Sequence, residues 1–235
     1  MRSDIGGPMS ITLSEEDRGR SAPGSLRSRR RWLVPSVLFV AYALFAAAVH
    51  LRLLDGLDLA VRHSAHDGAV WGPTQVRAAG VVDALDPTHV ALWLLLFVAA
   101  TSALRRSLRP FLLMILVALP VVVVTLGSKW VMAHWDPGTV PVGHGSFPSG
   151  HAASTLMAFG VVVLLVRPGT RWGWSLPAVM GGAMGVALIL AWVHPATDVI
   201  GAGLLVAAVL AWAAAARLGQ WANDPHPRTI ARQSG

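Results

Sequence analysis

Long uncharged apolar runs alternate with short polar joints along most of the chain. The runs extend from Trp32 to about Leu51, Pro87 to Leu104, Pro110 to Ser128, about Pro148 to Val166, Trp172 to Val193, and Pro195 to about Ala216. At about 1.5 Å per residue, runs of this length cover most or all of a hydrocarbon core roughly 30 Å thick. In lipid each backbone N–H and C=O must find its partner within the protein, so such runs predict α-helices. The joints read as helix ends. Asp86-Pro87 is an N-cap followed by a first-turn proline, and Arg167-Pro168-Gly169-Thr170-Arg171 is a charged turn. The expected fold is all-α, an integral membrane bundle of six transmembrane helices over residues 32–217.

The segments outside the runs differ in kind. Residues 52–86 interleave Asp55, Asp58, Arg62, Asp67, Arg77 and Asp83 with Leu, Val and Trp71, which predicts short amphipathic helices lying on the membrane between helices 1 and 2. Residues 1–31 are polar and rich in Gly, Ser and Arg, so they read as a disordered basic tail, and 218–235 as a second polar tail. Ala46-Ala47-Ala48 imitates a signal-peptidase site, but the polar segment before the first run is far longer than a signal peptide's n-region.

Composition agrees with a bilayer, and charge then sets orientation. Of 235 residues 54% are hydrophobic and 13% charged, with a mean hydropathy of +0.56 and no Cys. In a soluble protein the net charge of +7 would suggest nucleic acid. With six spans, however, all but Arg52, Arg62, Arg77 and Lys129 of the 19 basic residues fall on the side of the two termini. That bias predicts cytoplasmic termini in a multi-pass protein, and it reads the basic residues as topology determinants that touch anionic headgroups, with no nucleic-acid partner. Trp32, Trp172, Trp174 and Trp221 then mark the inner interface, and Trp71, Trp130, Trp135 and Trp192 the outer one.

The same topology brings the ionisable candidates to one depth on the outer face. Lys129 ends the third run, Ser149-Gly150-His151 opens the fourth, and His194-Pro195-Ala196-Thr197-Asp198 joins the fifth and sixth. Ionisable groups at that depth are functional candidates by default. Ser149 and Gly150 at a helix start expose backbone N–H groups at the positive end of a helix dipole, which suits phosphate or, more simply, a capped helix. His194 and Asp198 stand four apart, so the carboxylate can hold one imidazole tautomer and leave the other nitrogen as a nucleophile. His151 can protonate a leaving oxygen, and Lys129, the single Lys, can neutralise phosphate oxygens or merely snorkel to the interface.

Lys129, then Pro148-Ser149-Gly150-His151, then His194-x-x-x-Asp198, in this order on six spans, resembles the type 2 phosphatidic acid phosphatase (PAP2) superfamily over residues 87–216. The resemblance implies a metal-independent, cofactor-free phosphatase in which His194 accepts the phosphoryl group, Asp198 orients it and His151 is the general acid. It implies phosphate binding by Lys129, Ser149 and Gly150, and a membrane lipid phosphate or polyprenyl diphosphate as substrate, met at the extracytoplasmic face of the plasma membrane. Oligomeric state is left open.

Two departures bear on that reading. Where the family has an arginine seven residues after its Lys, this chain has Asp136 followed by Pro137, and where its last motif opens Ser-Arg, this chain has Ala187-Leu188. Charge-assisted bonds from two guanidinium groups contribute about 1.5 to 3 kcal/mol each, so their loss weakens binding or rate unless something replaces them. His134 and His144 in the same loop as Asp136 are partial substitutes or plain loop histidines. Three other readings stay open: a lipid phosphotransferase using the same His-His-Asp triad, an inactive lipid-binding relative, and a metal site drawing on His134, Asp136, His144, His151, His194 and Asp198.

Overall fold

The computed structural model describes residues 23–65, 71–132 and 145–224, and among them every regular element is helical. In chain order these are α1 (Pro23–His50), α2 (Asp55–Ala65), α3 (Pro73–Ala84), α4 (Pro87–Arg105), α5 (Arg109–Val131), α6 (Gly150–Val166), α7 (Ser175–Leu190), α8 (Ala196–Ala215) and α9 (Leu218–Asn223), with a 3-10 turn at Arg171–Trp174 before α7. The six apolar runs correspond to α1, α4, α5, α6, α7 and α8. Four of these helices are long and apolar enough to cross a membrane, while α6 and α7, at 17 and 16 residues, are shorter apolar helices.

Burial divides the helices into an inner pair and a lipid-facing set. On α4 the buried positions are Val90, Leu94, Val98 and Ser102, and on α5 Pro110, Leu113, Val117, Val121 and Thr125, single stripes at three- and four-residue spacing. The rest of their surface carries exposed Leu, Ile, Val and Trp side chains such as Trp93, Leu116 and Val123. Those are the faces a bilayer covers. By contrast α6 and α8 are buried around most of their circumference, and it is these two central helices that begin with the candidate chemistry.

Helix ends follow local rules where the sequence supplies them. Asp86 caps α4, its side chain accepting from the Thr88 N–H at 2.8 Å with Pro87 in the first turn, and Ser149 caps α6. Arg106, at φ 48°, closes α4 in the left-handed region. Four boundaries depart from the sequence reading. The first helix starts at Pro23, ahead of Trp32, and Lys129 lies inside the last turn of α5 instead of ending it. The fifth run yields a shorter helix because its start is a 3-10 turn and Trp192, at φ 59°, stops it. Residues 218–223, read as tail, form α9 with Gly219 and Ala222 buried.

Contacts at this second end of the bundle refine the role of its arginines. Arg105 donates to the Leu165 carbonyl at 2.8 Å, and Arg109 to the carbonyls of Trp221 and Asp224 at 3.2 and 3.1 Å. They therefore complete the C-terminal ends of α6 and α9 as well as carrying charge. Because α6 and α8 each run from the candidate site to this end, site and basic end lie on opposite faces of the bundle.

Candidate active site

The site forms where α6 and α8 begin, and α1 holds Phe147, just before α6, against them. Phe147 is fully buried, its ring stacked 6.3 Å from that of Tyr42 on α1 and seated on Gly201 of α8. A Cβ at position 201 would overlap the Phe147 ring, so only glycine admits it there. The Phe147-Pro148 peptide is cis, and the next residue, Ser149, donates its N–H to the Asp198 carbonyl oxygen at 3.1 Å. The first turns of the two central helices are thereby joined through main chain.

Across that junction the His194 Nδ1–H donates to Asp198 Oδ2 at 2.9 Å. Asp198 has no exposed surface and His194 retains 10% of its side-chain surface, so the pair is sheltered while one edge of the ring faces outward. Its spacing of one helical turn works because Pro195 caps α8 in an extended conformation, which lets the His194 side chain fold back over Asp198. Main-chain bonds from the Val193 and His194 N–H groups to the Leu188 carbonyl, at 3.0 and 3.4 Å, fix the corner from which His194 projects.

His151 lies on the opposite lip, its ring centroid 6.2 Å from that of His194 at an interplanar angle of 62°. Its Nε2 is 3.7 Å from Asp86 Oδ2, a partner that the sequence offered only as a helix cap. The N–H of Thr88 holds the Asp86 carboxyl below the usual carboxylate range, which favours its charged form. Ser149 is fully buried and its hydroxyl accepts from the Ala152 N–H at 3.4 Å, the capping role. Over Gly150 the space is open: among the described residues, apart from its chain neighbours and its own helix backbone, no atom lies within 4 Å of where a Cβ would stand. Lys129 is half-buried at the same end, and its carbonyl accepts from the Gly145 N–H at 2.9 Å, tying the last turn of α5 to the approach to Ser149.

All six sequence-derived site residues therefore share one end of the bundle. His134, Asp136 and His144 lie outside the described residues. Ala187 and Leu188, where the family resemblance would place Ser and Arg, are buried in the apolar core. Among the described residues no three His, Asp or Glu side chains are grouped as metal ligands.

Two further residues of the site were not singled out from sequence. Asp58 on α2 accepts the Thr197 N–H at 2.9 Å and the Thr197 hydroxyl at 2.7 Å, and so caps α8 from a distant part of the chain. Arg62, one turn further along α2, lies over the Trp192 ring at 4.9 Å from its centroid. The sequence reading took both only as part of the amphipathic pattern of 52–86.

An all-helical membrane bundle with paired histidines and a buried aspartate at one end defines the class. Its fold is similar to that of the crystal structure of a transmembrane PAP2-type phosphatidylglycerolphosphate phosphatase from Bacillus subtilis, with a TM-score of 0.59 and 20% identity over 77% of this chain and 94% of that one. The chain thus has the PAP2 transmembrane fold. No protein-family model matches the chain, and no curated protein matches it in sequence.

Proposed function

We propose that this protein is a membrane phosphatase that hydrolyses a lipid phosphate or diphosphate through a phosphohistidine. The observation that carries the reading is the sheltered His194–Asp198 pair with His151 6.2 Å away across the same cleft. With the ring proton held on Nδ1 by Asp198, the Nε2 lone pair attacks phosphorus and the bond to the leaving oxygen breaks. Protonated His151 gives its proton to that oxygen. Neutral His151 then takes a proton from water as the water oxygen attacks phosphorus, which breaks the N–P bond, releases phosphate and restores both rings.

Substrate phosphate is held by Lys129 and by the N–H groups at the start of α6 over Gly150, where the helix dipole favours an anion. The basic residues at the opposite end of the bundle support cytoplasmic termini and a site on the extracytoplasmic face. The buried apolar Leu188 favours a second reading, a catalytically weak or inactive lipid-binding relative.

One experiment separates the two. Phosphate release from a panel of lipid phosphates and diphosphates is measured for purified protein, His194→Ala and His151→Ala. Release by wild type with loss in both variants supports hydrolysis, whereas three equally inert proteins sink it. Acceleration by an added acceptor alcohol, with label passing into a new lipid, identifies a transferase.

A further inference from the structure

The phosphate of a PAP2-like substrate needs cationic hydrogen-bond donors, and neither place where the family carries arginine supplies one here. Position 188 is a leucine buried in the core, and the residue seven beyond Lys129 is Asp136. Arg62 nevertheless lines one cavity with His194, brought there by the amphipathic segment between the first two spans.

Three observations place it. First, α2 is fixed to the start of α8, because both oxygens of Asp58 accept from Thr197, a residue with no exposed surface. The Asp58 charge is thus turned into the first turn of α8, where it complements the helix dipole. Second, Arg62, one turn from Asp58, lies flat on Trp192 at 4.9 Å from the ring centroid. Stacking fixes the plane of a guanidinium and so the direction in which its N–H groups point. Third, Arg62 and His194 line one cavity of about 40 Å³, shared with Asp58, Val61, Trp192 and Pro195. That volume holds roughly three water molecules, comparable to a single phosphoryl group.

Trp192 itself sits at a cost. At φ 59° it occupies the left-handed region at the end of α7, a position where glycine is ordinarily preferred. A bulky side chain there gives up stability of order 1 kcal/mol or more, and such strain collects at functional sites. Its ring is the platform on which Arg62 rests, two residues before His194.

We propose that Arg62, carried by α2 and held on Trp192, is the guanidinium that grips the substrate phosphate beside His194. It takes the place of the family's arginines from a different part of the chain, and its ligand class is a phosphate monoester or diphosphate dianion. The inference rests on the phosphatase reading for the substrate, though not for phosphate binding itself.

Purified full-length protein in detergent is titrated with inorganic phosphate by calorimetry, and KM and kcat are measured with phosphatidic acid, for wild type, Arg62→Ala, Arg62→Met and Arg62→Lys. Methionine keeps the stem on Trp192 and removes the charge. Both uncharged variants should weaken phosphate binding and raise KM together by about tenfold or more, with kcat changed less and the thermal midpoint kept, and lysine should recover part of the loss. If methionine or alanine binds phosphate as wild type does, the proposal is overturned and the phosphatase reading stands. A loss that tracks a fallen thermal midpoint and is cured by methionine makes Arg62 a packing residue and also overturns it. Phosphate binding that needs Arg62 in a wild type that hydrolyses nothing upholds the site and removes the phosphatase. A wild type that binds no phosphate at millimolar concentration overturns both.

Discussion

Replacing Asp198 by asparagine tests the mechanism where the geometry is most constrained. The side chain keeps its volume, and removing a buried charge does not by itself threaten the fold. What changes is the proton on His194. Asp198 accepts from Nδ1 at 2.9 Å with no exposed surface, so no water takes over when the acceptor changes. Loss of a hydrogen bond to a charged group removes about 1.5 to 3 kcal/mol from an imidazolium-like transition state, roughly 10- to 150-fold in rate. An asparagine amide can also donate to Nδ1, moving the ring proton to Nε2, the attacking atom. In a Ser-His-Asp hydrolase that change of tautomer lowers kcat by about 10⁴. We therefore expect Asp198→Asn to lower kcat by on the order of 10² to 10⁴, with the thermal midpoint within a few degrees of wild type. Phosphate release gives kcat, and rapid acid-free quenching with labelled substrate gives the yield of phosphoenzyme, which should fall in parallel. A folded Asp198→Asn protein with kcat within threefold of wild type would refute the role of His194 as nucleophile held by this carboxylate.

Asp86→Asn should behave differently: its carboxylate is half-exposed and 3.7 Å from His151, and asparagine still caps α4, so steady-state kcat should change less than about fivefold. A larger loss would make Asp86 an obligate partner of His151. Asp58→Ala leaves both buried donors of Thr197 without acceptors, which should lower stability by about 1 to 3 kcal/mol and thermal unfolding in detergent accordingly, and an unchanged midpoint would contradict the cap. Gly201→Ala drives a methyl into the Phe147 ring, so it should both destabilise the protein by about 1 to 3 kcal/mol and reduce phosphate release, whereas wild-type activity would show that Phe147 does not position Ser149 and His151.

The sequence carried the bundle because the bilayer leaves few alternatives for long uncharged runs. Asp86-Pro87 and Ser149 were readable as helix starts, since a cap acts on residues two or three positions away. His194 and Asp198 were readable for the same reason, being one turn apart. What escaped were the individual hydrogen bonds made across the chain. The bond from the Ser149 N–H to the Asp198 carbonyl joins residues 49 positions apart, and Asp58 reaches Thr197 over 139. Neither has a local signature. Arg105 and Arg109 were readable as positive charge at the inner end, but their bonds to main-chain carbonyls depend on where α6 and α9 finish.

The residues between the first two spans therefore need a different account from their amphipathic pattern. Floating on the interface, α2 would turn Asp58 and Arg62, which are one turn apart on one face, toward water. Here Asp58 satisfies the two donors of Thr197 and Arg62 covers Trp192, so both residues bind α2 to the two turns that flank His194. The attachment couples distant sequence to the corner that carries His194. A change that loosens α2 should disturb the start of α8 and the corner at Trp192 together, and through them the orientation of His194, even when no residue of the His-His-Asp set is altered. If Arg62 holds phosphate as proposed, the charges of α2 belong to the site, and the segment that would replace the motif arginines is itself fastened to the helix that carries Asp198.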